Sequence, residues 1–207
     1  MKEKNELQWM LVFTLGYLVV FTVLAIVKGN YEFLYYTFVM SALILLVILY
    51  HKKLHLPKTI LLGLTLLGAL HIFGGNLSFL GTRLYDIWLV SDYIKYDNLV
   101  HSFGIFIATF VAYNILHPHL DKKINHNAYK LSLVLVAIAM GIGAFNEVIE
   151  LGAVAFLNAA EQVGDYMNNA LDLVFNLLGS AIACIFITKY HNRTFTKKNN
   201  IIRKKVL

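Results

Sequence analysis

Long apolar runs separated by short polar segments dominate the pattern of the chain. A helix that crosses a hydrocarbon core of about 30 Å needs roughly 20 mostly apolar residues. Six runs approach or exceed that length. The pattern therefore predicts six membrane-spanning helices, at residues 7–28, 31–50, 57–73, 98–116, 131–157 and 169–188.

The third run is the shortest of the six. The stretch "PKTILLGLTLLGALHIF" ends in His71, so a five-span chain with one buried hairpin is the alternative. The first run follows "MKEKNE", but it is too long for a signal peptide and lacks a small-x-small cleavage site. We expect an all-α, polytopic six-helix bundle that forms one integral membrane domain over residues 1–207.

Composition agrees with this fold class. Hydrophobic residues make up 58% of the chain, charged residues only 14%, and the mean hydropathy is +0.64. These values exclude an ordinary soluble domain. The basic tail at 189–207 is typical of a solvated cytoplasmic segment near anionic headgroups. We therefore expect membrane lipids and no nucleic acid as partners, and the sequence indicates no oligomeric state.

The distribution of lysine and arginine predicts the orientation. Only Lys28, Arg83 and Lys95, three of the 18 cationic residues, fall outside the N-terminal leader, the 2–3 loop, the 4–5 loop and the tail. Cytoplasmic segments carry the excess of such residues. The sequence thus predicts a protein of the cell (inner) membrane with both termini in the cytoplasm.

Polar residues interrupt four of the predicted spans at one depth. In "GAFNEVIELGAV", a rise of 1.5 Å per residue from residue 131 places Glu147 about 24 Å and Glu150 about 28 Å along the fifth span, near the outer boundary. The other spans bring polar side chains to the same outer layer. These residues are His71, Asp97, His101, Asp172 and Asn176.

Spacing pairs these residues on helix faces. Asp97 and His101 are four apart and Glu147 and Glu150 three apart, so each pair shares one face. "DNLVHSFG" and "DLVFNLLG" repeat the pattern Asp-x-x-x-[His/Asn]-x-x-Gly. Their glycines, at 104 and 179, predict close helix approach.

Charge makes this layer a candidate functional site. A carboxylate near mid-membrane costs about 2.5–3.5 kcal/mol, so it usually faces the bundle and is paired. A metal ion, shared protons or a cationic substrate would supply the missing positive charge, whereas the simplest alternative is a hydrogen-bonded cluster. Oxygen and imidazole ligands suit Zn, Mn, Fe or Mg. The predicted metal ligands are His71, Asp97, His101, Glu150 and Asp172.

Other residues are assigned further roles around this centre. The candidate catalytic bases are Glu147 and Glu150. The external loop "GNLSFLGTRLYDIWLVSDYIKY" could cover the site, with Arg83 contacting a phosphate, although interfacial anchoring is the ordinary role of its aromatic residues. The remaining polar candidates are Asn146, Asp165, Asn176 and Arg83.

Short motifs carry a family resemblance. "HIFGG", "YDNLVH", "NEVIE" and "GDYMNNALD" resemble the YjdF-like bacterial inner-membrane family, whose function is uncharacterised. The resemblance implies that seven positions belong to the family's polar set: His71, Asp97, His101, Glu147, Glu150, Asp165 and Asp172. The chain departs from that pattern at Asn168 and Ala170, where an acidic residue and a glutamine are expected. "DLVFNLLGSAIA" is similar to the closing motif of VanZ-like proteins, but the Arg-containing segment before it is missing.

Three functional classes remain open. The first is a metal-dependent enzyme acting on a lipid or lipid-linked substrate at the outer leaflet. The second is a transporter or an ion- or proton-binding permease. The third is a non-catalytic module that binds a partner protein. A transport path should continue with polar residues towards the cytoplasm, and the inner halves of the spans are almost purely apolar, which favours a one-sided site.

The orientation can be tested with single cysteines in a Cys184→Ala background. Cysteines at 76–96 and 158–168 should react with an impermeant thiol reagent in intact cells, whereas those at 51–57, 117–130 and 190–207 should not. Labelling of Lys122→Cys in intact cells would contradict the orientation.

Overall fold

The computed structural model describes residues 2–91, 93–125 and 127–206. Its helices are α1 Lys2–Lys28, α2 Tyr31–Tyr50, α3 Lys58–Asn76, α4 Tyr96–Leu116, α5 Lys122–Asn125, α6 Ala128–Leu157, α7 Ala160–Val163 and α8 Tyr166–Val206. Within the described chain, six helices are long and apolar enough to cross a membrane, the last of them over Tyr166–Lys189. The predicted six-span, all-α class is confirmed. Since α3 is one continuous helix of 19 residues, the five-span alternative is wrong.

Helix caps explain why some helices begin earlier than predicted. The helix α4 begins at Tyr96 because the Asn98 side chain accepts a hydrogen bond of 2.9 Å from the Lys95 backbone N–H. The helix α8 begins at Tyr166, where Asp165 accepts the Asn168 N–H at 3.0 Å. Capping residues are polar, so a hydropathy pattern ends before it reaches them. The side chains of residues 190–207 are not described, so the solvation of the basic tail stays a prediction.

The connection between α3 and α4 contains two small antiparallel sheets that the sequence pattern did not indicate. The strands β1 (Ser78–Phe79) and β2 (Thr82–Arg83) form one pair, and β3 (Trp88–Val90) and β4 (Ile94–Lys95) form the other. Leu80 and Gly81, between β1 and β2, both have positive φ, as two-residue hairpin turns require. The connection thereby holds Arg83 and Lys95 at one end of the bundle.

The helix α4 lies at the centre of the bundle and packs against α3, α6 and α8. Gly179 of α8 permits the closest approach, because a Cβ there would overlap the backbone carbonyl oxygen of Ser102 on α4. Gly104 is less constrained, since its Cβ would lie 3.2 Å from a methyl group of Leu67. Small residues let membrane helices approach closely, and of these two predicted glycines Gly179 is the one that meets backbone.

The two ends of the bundle are distinguished by which helices begin there. At the end we name the site end, α2, α4 and α8 begin, α3 and α6 end, and Lys28 donates a hydrogen bond of 3.2 Å to the Asn76 carbonyl. At the opposite end, Lys58 and Glu6 form an ion pair of 2.6 Å. The orientation of these ends across a membrane stays a prediction.

Replacing Gly179 by alanine should destabilise the protein, because the added methyl group meets backbone rather than a movable side chain. Overpacking of this kind costs about 1–3 kcal/mol. The matched control is Gly141→Ala on α6, where a Cβ has nothing within 4 Å and the change should be neutral or stabilising. Thermal melting of the detergent-solubilised variants checks this. Equal melting temperatures would contradict the close approach of α4 and α8.

Candidate functional site

His101 lies at the centre of a carboxylate cluster at the site end. Its Nε2 is 3.6 Å from an oxygen of Asp97, 3.7 Å from Glu150 and 3.9 Å from Asp172. Its Nδ1 is 3.8 Å from an oxygen of Glu147. Four carboxylates from three helices therefore surround one imidazole, which we name the His101 cluster.

Helical spacing and helix packing together build the cluster. Asp97 and His101 share one face of α4, and Glu147 and Glu150 share one face of α6. The packing of α8 against α4 adds Asp172. The end of α6 at Leu157 lies seven residues beyond Glu150, so at 1.5 Å per residue this carboxylate is about 10 Å below the end of its helix.

Two overlapping groups in the cluster are close enough together to hold a metal ion if their ligand atoms contract around it. Potential ligand atoms of Asp97, His101 and Asp172 lie within 4.8 Å of one another, and so do those of His101, Glu147 and Glu150. An ion held about 2.1 Å from each ligand in a tetrahedral site places the ligands about 3.4 Å apart. The nitrogen–oxygen separations of 3.6–3.9 Å leave room for an ion with a small contraction.

Asparagine side chains hold two of the carboxylates in place. Asn98 and Asn168 donate to the two oxygens of Asp172 at 3.0 and 2.9 Å, and Asn146 donates to Glu150 at 2.7 Å. Asp172 has no exposed surface, so both its oxygens depend on these partners. Donors of this kind around ligands orient them and tune a bound metal.

Some buried polar atoms near the cluster have no hydrogen-bond partner among the described residues. These are both oxygens of Glu147 and both amide atoms of Asn176. Asn176 is only 1% exposed and lines the cavity described below. An unsatisfied buried polar group costs about 1–3 kcal/mol, so such atoms indicate a place for a water molecule, an ion or a ligand.

His71 lies beside the cluster in an aromatic setting. Its ring contacts Phe33, Tyr36 and Tyr85 at centroid distances of 5.6–5.8 Å, and its Nδ1 shares a hydrogen bond of 2.6 Å with the Tyr85 hydroxyl. Burial raises the pKa of Tyr85 well above its usual value. Neither three-residue group in the described chain includes His71, so the structure places this predicted ligand at the edge of the site.

The connection between α3 and α4 contributes two cations to the site end. Arg83 donates to Asp86 at 2.9 Å and to Glu32 at 3.3 Å. Lys95 donates to Asn168 at 3.4 Å and lies over the Trp88 ring, 5.1 Å from its centroid. Both cations line the same cavity as His101, as the sequence-based hypothesis of a covering loop requires.

One predicted site residue has a different role, and three residues at the site were not among the candidates. Asp165 is exposed and caps α8 through the Asn168 N–H, so a cap accounts for its position. Glu32 and Asn98 are buried at the site end, and sequence reasoning missed both. An acidic residue or an amide in the first turn of a helix resembles an ordinary cap. Asn168, noted only as a departure from a family pattern, is a direct partner of Asp172.

A cavity of about 680 Å³ opens at the site end and continues along the bundle. Glu32, Arg83, Lys95, Asp97 and Glu150 line its polar end together with His101 and Asn176. The rest of its lining comes mainly from α1, α2 and α3 and is predominantly apolar, with Gln8, Thr14, Thr65 and His51 as the polar residues away from the site end. Neither serine nor cysteine occurs among its described lining residues.

Six apolar helices around a buried polar centre define a multi-pass membrane protein, which contacts membrane lipids. The chain belongs to the family described as "predicted membrane protein (DUF2238)", which matches residues 9–193. The YjdF-like resemblance is consistent with this family. No curated protein and no solved structure matches the chain.

Replacing Asn98 by alanine should destabilise the fold by about 1–3 kcal/mol, because it leaves a buried Asp172 oxygen and the Lys95 N–H without partners. The matched control is Asn169→Ala, since the buried Oδ1 of Asn169 has no hydrogen-bond partner in the described chain. Thermal melting of both variants checks the difference. Equal losses would show that Asn98 does not hold Asp172.

Proposed function

We propose that the protein is a metal-dependent membrane enzyme that activates water at the headgroup of a lipid or lipid-linked substrate. The observation that carries the proposal is the His101 cluster, in which one imidazole and four carboxylates meet beside a cavity. The buried Asn176 amide, which has no hydrogen-bond partner among the described residues, is a second, independent indication of a missing partner.

Charge balance supports a bound cation. Carboxylates at these separations repel one another, and a dication allows them to stay ionised while it bridges their helices. The cations at the site end have other contacts, because Arg83 pairs with Glu32 and Asp86 and Lys95 contacts Asn168. A divalent ion with oxygen and nitrogen ligands, such as Zn, Mn, Fe or Mg, suits this donor set.

The geometry supports distinct roles within the cluster. Asp97, His101 and Asp172 would hold the ion, which when bound would activate a water molecule, as in catalytic zinc sites. Glu150 lines the cavity and is the candidate base that accepts a proton from this water. Glu147 lies on the Nδ1 side of His101 and acts as a positioning residue for the imidazole.

Without a metal ion, Glu32, Asp97 and Glu150 outnumber the cations at the polar end of the cavity. A bound dication would make this polar end suitable for an anionic headgroup. Arg83, Lys95 and the Asn176 amide line it, and a phosphate can approach the carboxylates only when a metal ion lies between them. Because the lining side chains offer neither a serine nor a cysteine nucleophile, activated water is the better candidate attacking group. Under the orientation predicted from Lys and Arg, the site faces the outer leaflet of the cell membrane.

The alternative of an ion or proton path has less support. Such a path needs polar groups along its length. Beyond the His101 cluster, Met40, Leu43, Ile44, Val47 and Ile48 line the cavity on the α2 side. Gln8, Thr14 and Thr65 are the polar residues on the facing helices, and none of these lining residues is charged, so this part of the cavity suits hydrocarbon better than ions.

The metal can be tested directly on protein purified without chelator. Wild type should carry stoichiometric divalent metal by elemental analysis, and EDTA should lower its melting temperature. A ligand at 100 times its dissociation constant adds about 2.7 kcal/mol to stability. His101→Ala and Asp172→Asn should lose the metal, whereas Glu150→Gln should keep it, since we assign this residue to proton transfer.

Asp165→Asn is the matched control, because asparagine also caps helices and Asp165 lies outside the cluster. It should keep both the metal and the EDTA response. Wild type without stoichiometric metal, melting identically in EDTA, would overturn the proposed function.

A further inference from the structure

The apolar part of the cavity is a groove between helices, which we name the α2 groove. It is lined by residues 7–17 of α1, 61–68 of α3 and the 39–51 region that ends α2. Its lining residues on α2 are Val39, Met40, Leu43, Ile44, Val47 and Ile48. This spacing of three and four defines one helix face.

The second half of α2 has no buried residue. All its buried residues, Glu32, Phe33, Tyr36 and Thr37, lie in its first two turns. The helix is thus fixed to the bundle at the site end, whereas its groove face is only partly covered. Met40 and Ile44 pack against the cluster of Tyr17, Leu18, Ala69 and Ile72, while Leu43 stays 54% exposed. The groove belongs to the same cavity as His101, so an occupant can extend from one to the other.

The length of the groove limits its occupant. From Tyr36, beside His71, to His51 at the end of α2 is 15 residues, or about 22 Å at 1.5 Å per residue. One leaflet provides about 15 Å, half of a hydrocarbon core of about 30 Å. Because the His101 cluster already lies below the helix ends, a chain that starts there and fills the groove extends well into the opposite leaflet.

We propose that the α2 groove binds the hydrocarbon chain of a polyprenyl phosphate, with its phosphate at the His101 cluster. The inference rests on the proposed function for its headgroup site. Charge along the cavity agrees with such a ligand, because between Tyr36 and His51 no described lining residue of α2 is charged, whereas Arg83 and Lys95 lie at the polar end. The groove therefore suits a single chain that is anionic at one end and continues past the middle of the hydrocarbon core.

The test uses matched tryptophan variants on α2. Leu43 and Leu45 are both 54% exposed, but only Leu43 lines the groove. Each variant is placed in phosphatidylcholine nanodiscs with a polyprenyl phosphate whose extended chain is about as long as the groove and carries a diazirine at its end. Crosslinked peptides are then located by mass spectrometry. Wild type should be labelled near His51 and in the first half of α1.

Leu43→Trp should reduce this labelling by about tenfold, because the indole fills the groove, whereas Leu45→Trp should leave it unchanged. Both variants should melt alike, which keeps a folding defect apart from a blocked groove. Equal labelling of the two variants would mean that bulk lipid fills the gap and would overturn the proposal. So would equally efficient labelling near His51 by a phospholipid with a diazirine at the end of its acyl chain.

Metal analysis of the same preparations separates the two proposals. If the protein carries stoichiometric metal but Leu43→Trp does not change the labelling, the groove proposal is overturned and the metal-enzyme proposal is retained. Labelling that responds to Leu43→Trp in protein without metal supports the groove as the site of the chain, but overturns both the metal chemistry and the placement of the phosphate at the His101 cluster. The loss of labelling in His101→Ala, with labelling retained in Asp165→Asn, supports the placement of the phosphate at the cluster.

Discussion

The exclusion of water from the hydrocarbon core is the constraint on which the structure depends. A polar side chain there must find its partner inside the protein, and the His101 cluster brings such side chains of α4, α6 and α8 together. Their meeting requires close helices, which explains why Gly179 lies directly against the backbone of Ser102. The buried Asp172 then receives two amide donors, from Asn98 on its neighbour α4 and from Asn168 one turn earlier on α8. The close packing of α4 against α8 is therefore what allows the buried polar side chains to find their partners.

Much of the fold could be predicted because hydropathy reports burial in lipid directly. The predicted span 31–50 coincides with α2. The fourth and sixth helices begin at Tyr96 and Tyr166, two and three residues before the predicted starts at 98 and 169. Those differences come from caps, which depend on local hydrogen bonds between polar side chains and backbone. The short strands around Arg83 were missed for a related reason, since pairs of two or three residues leave no periodic pattern.

The site was predictable in depth but not in rotation about each helix axis. Spacing placed Asp97 with His101 and Glu147 with Glu150, because residues three and four apart share a face. It could not show that the ring of His71 lies among aromatic side chains, or that Asn98 reaches Asp172 on another helix, 74 positions away. Those facts depend on which neighbouring helix each face meets. A single sequence contains that information only through the packing of the whole bundle.

The cavity joins the polar His101 cluster to an apolar groove. A polar cluster without a groove suits a soluble ligand, and a groove without a cluster is an ordinary gap between membrane helices. Here α2 joins them, because Glu32 in its first turn pairs with Arg83 while its later turns present an apolar face to the same cavity. An amphipathic ligand would match both parts at once. The unburied second half of α2 also leaves a side of the groove through which a lipid could move in from the bilayer without crossing the connection between α3 and α4.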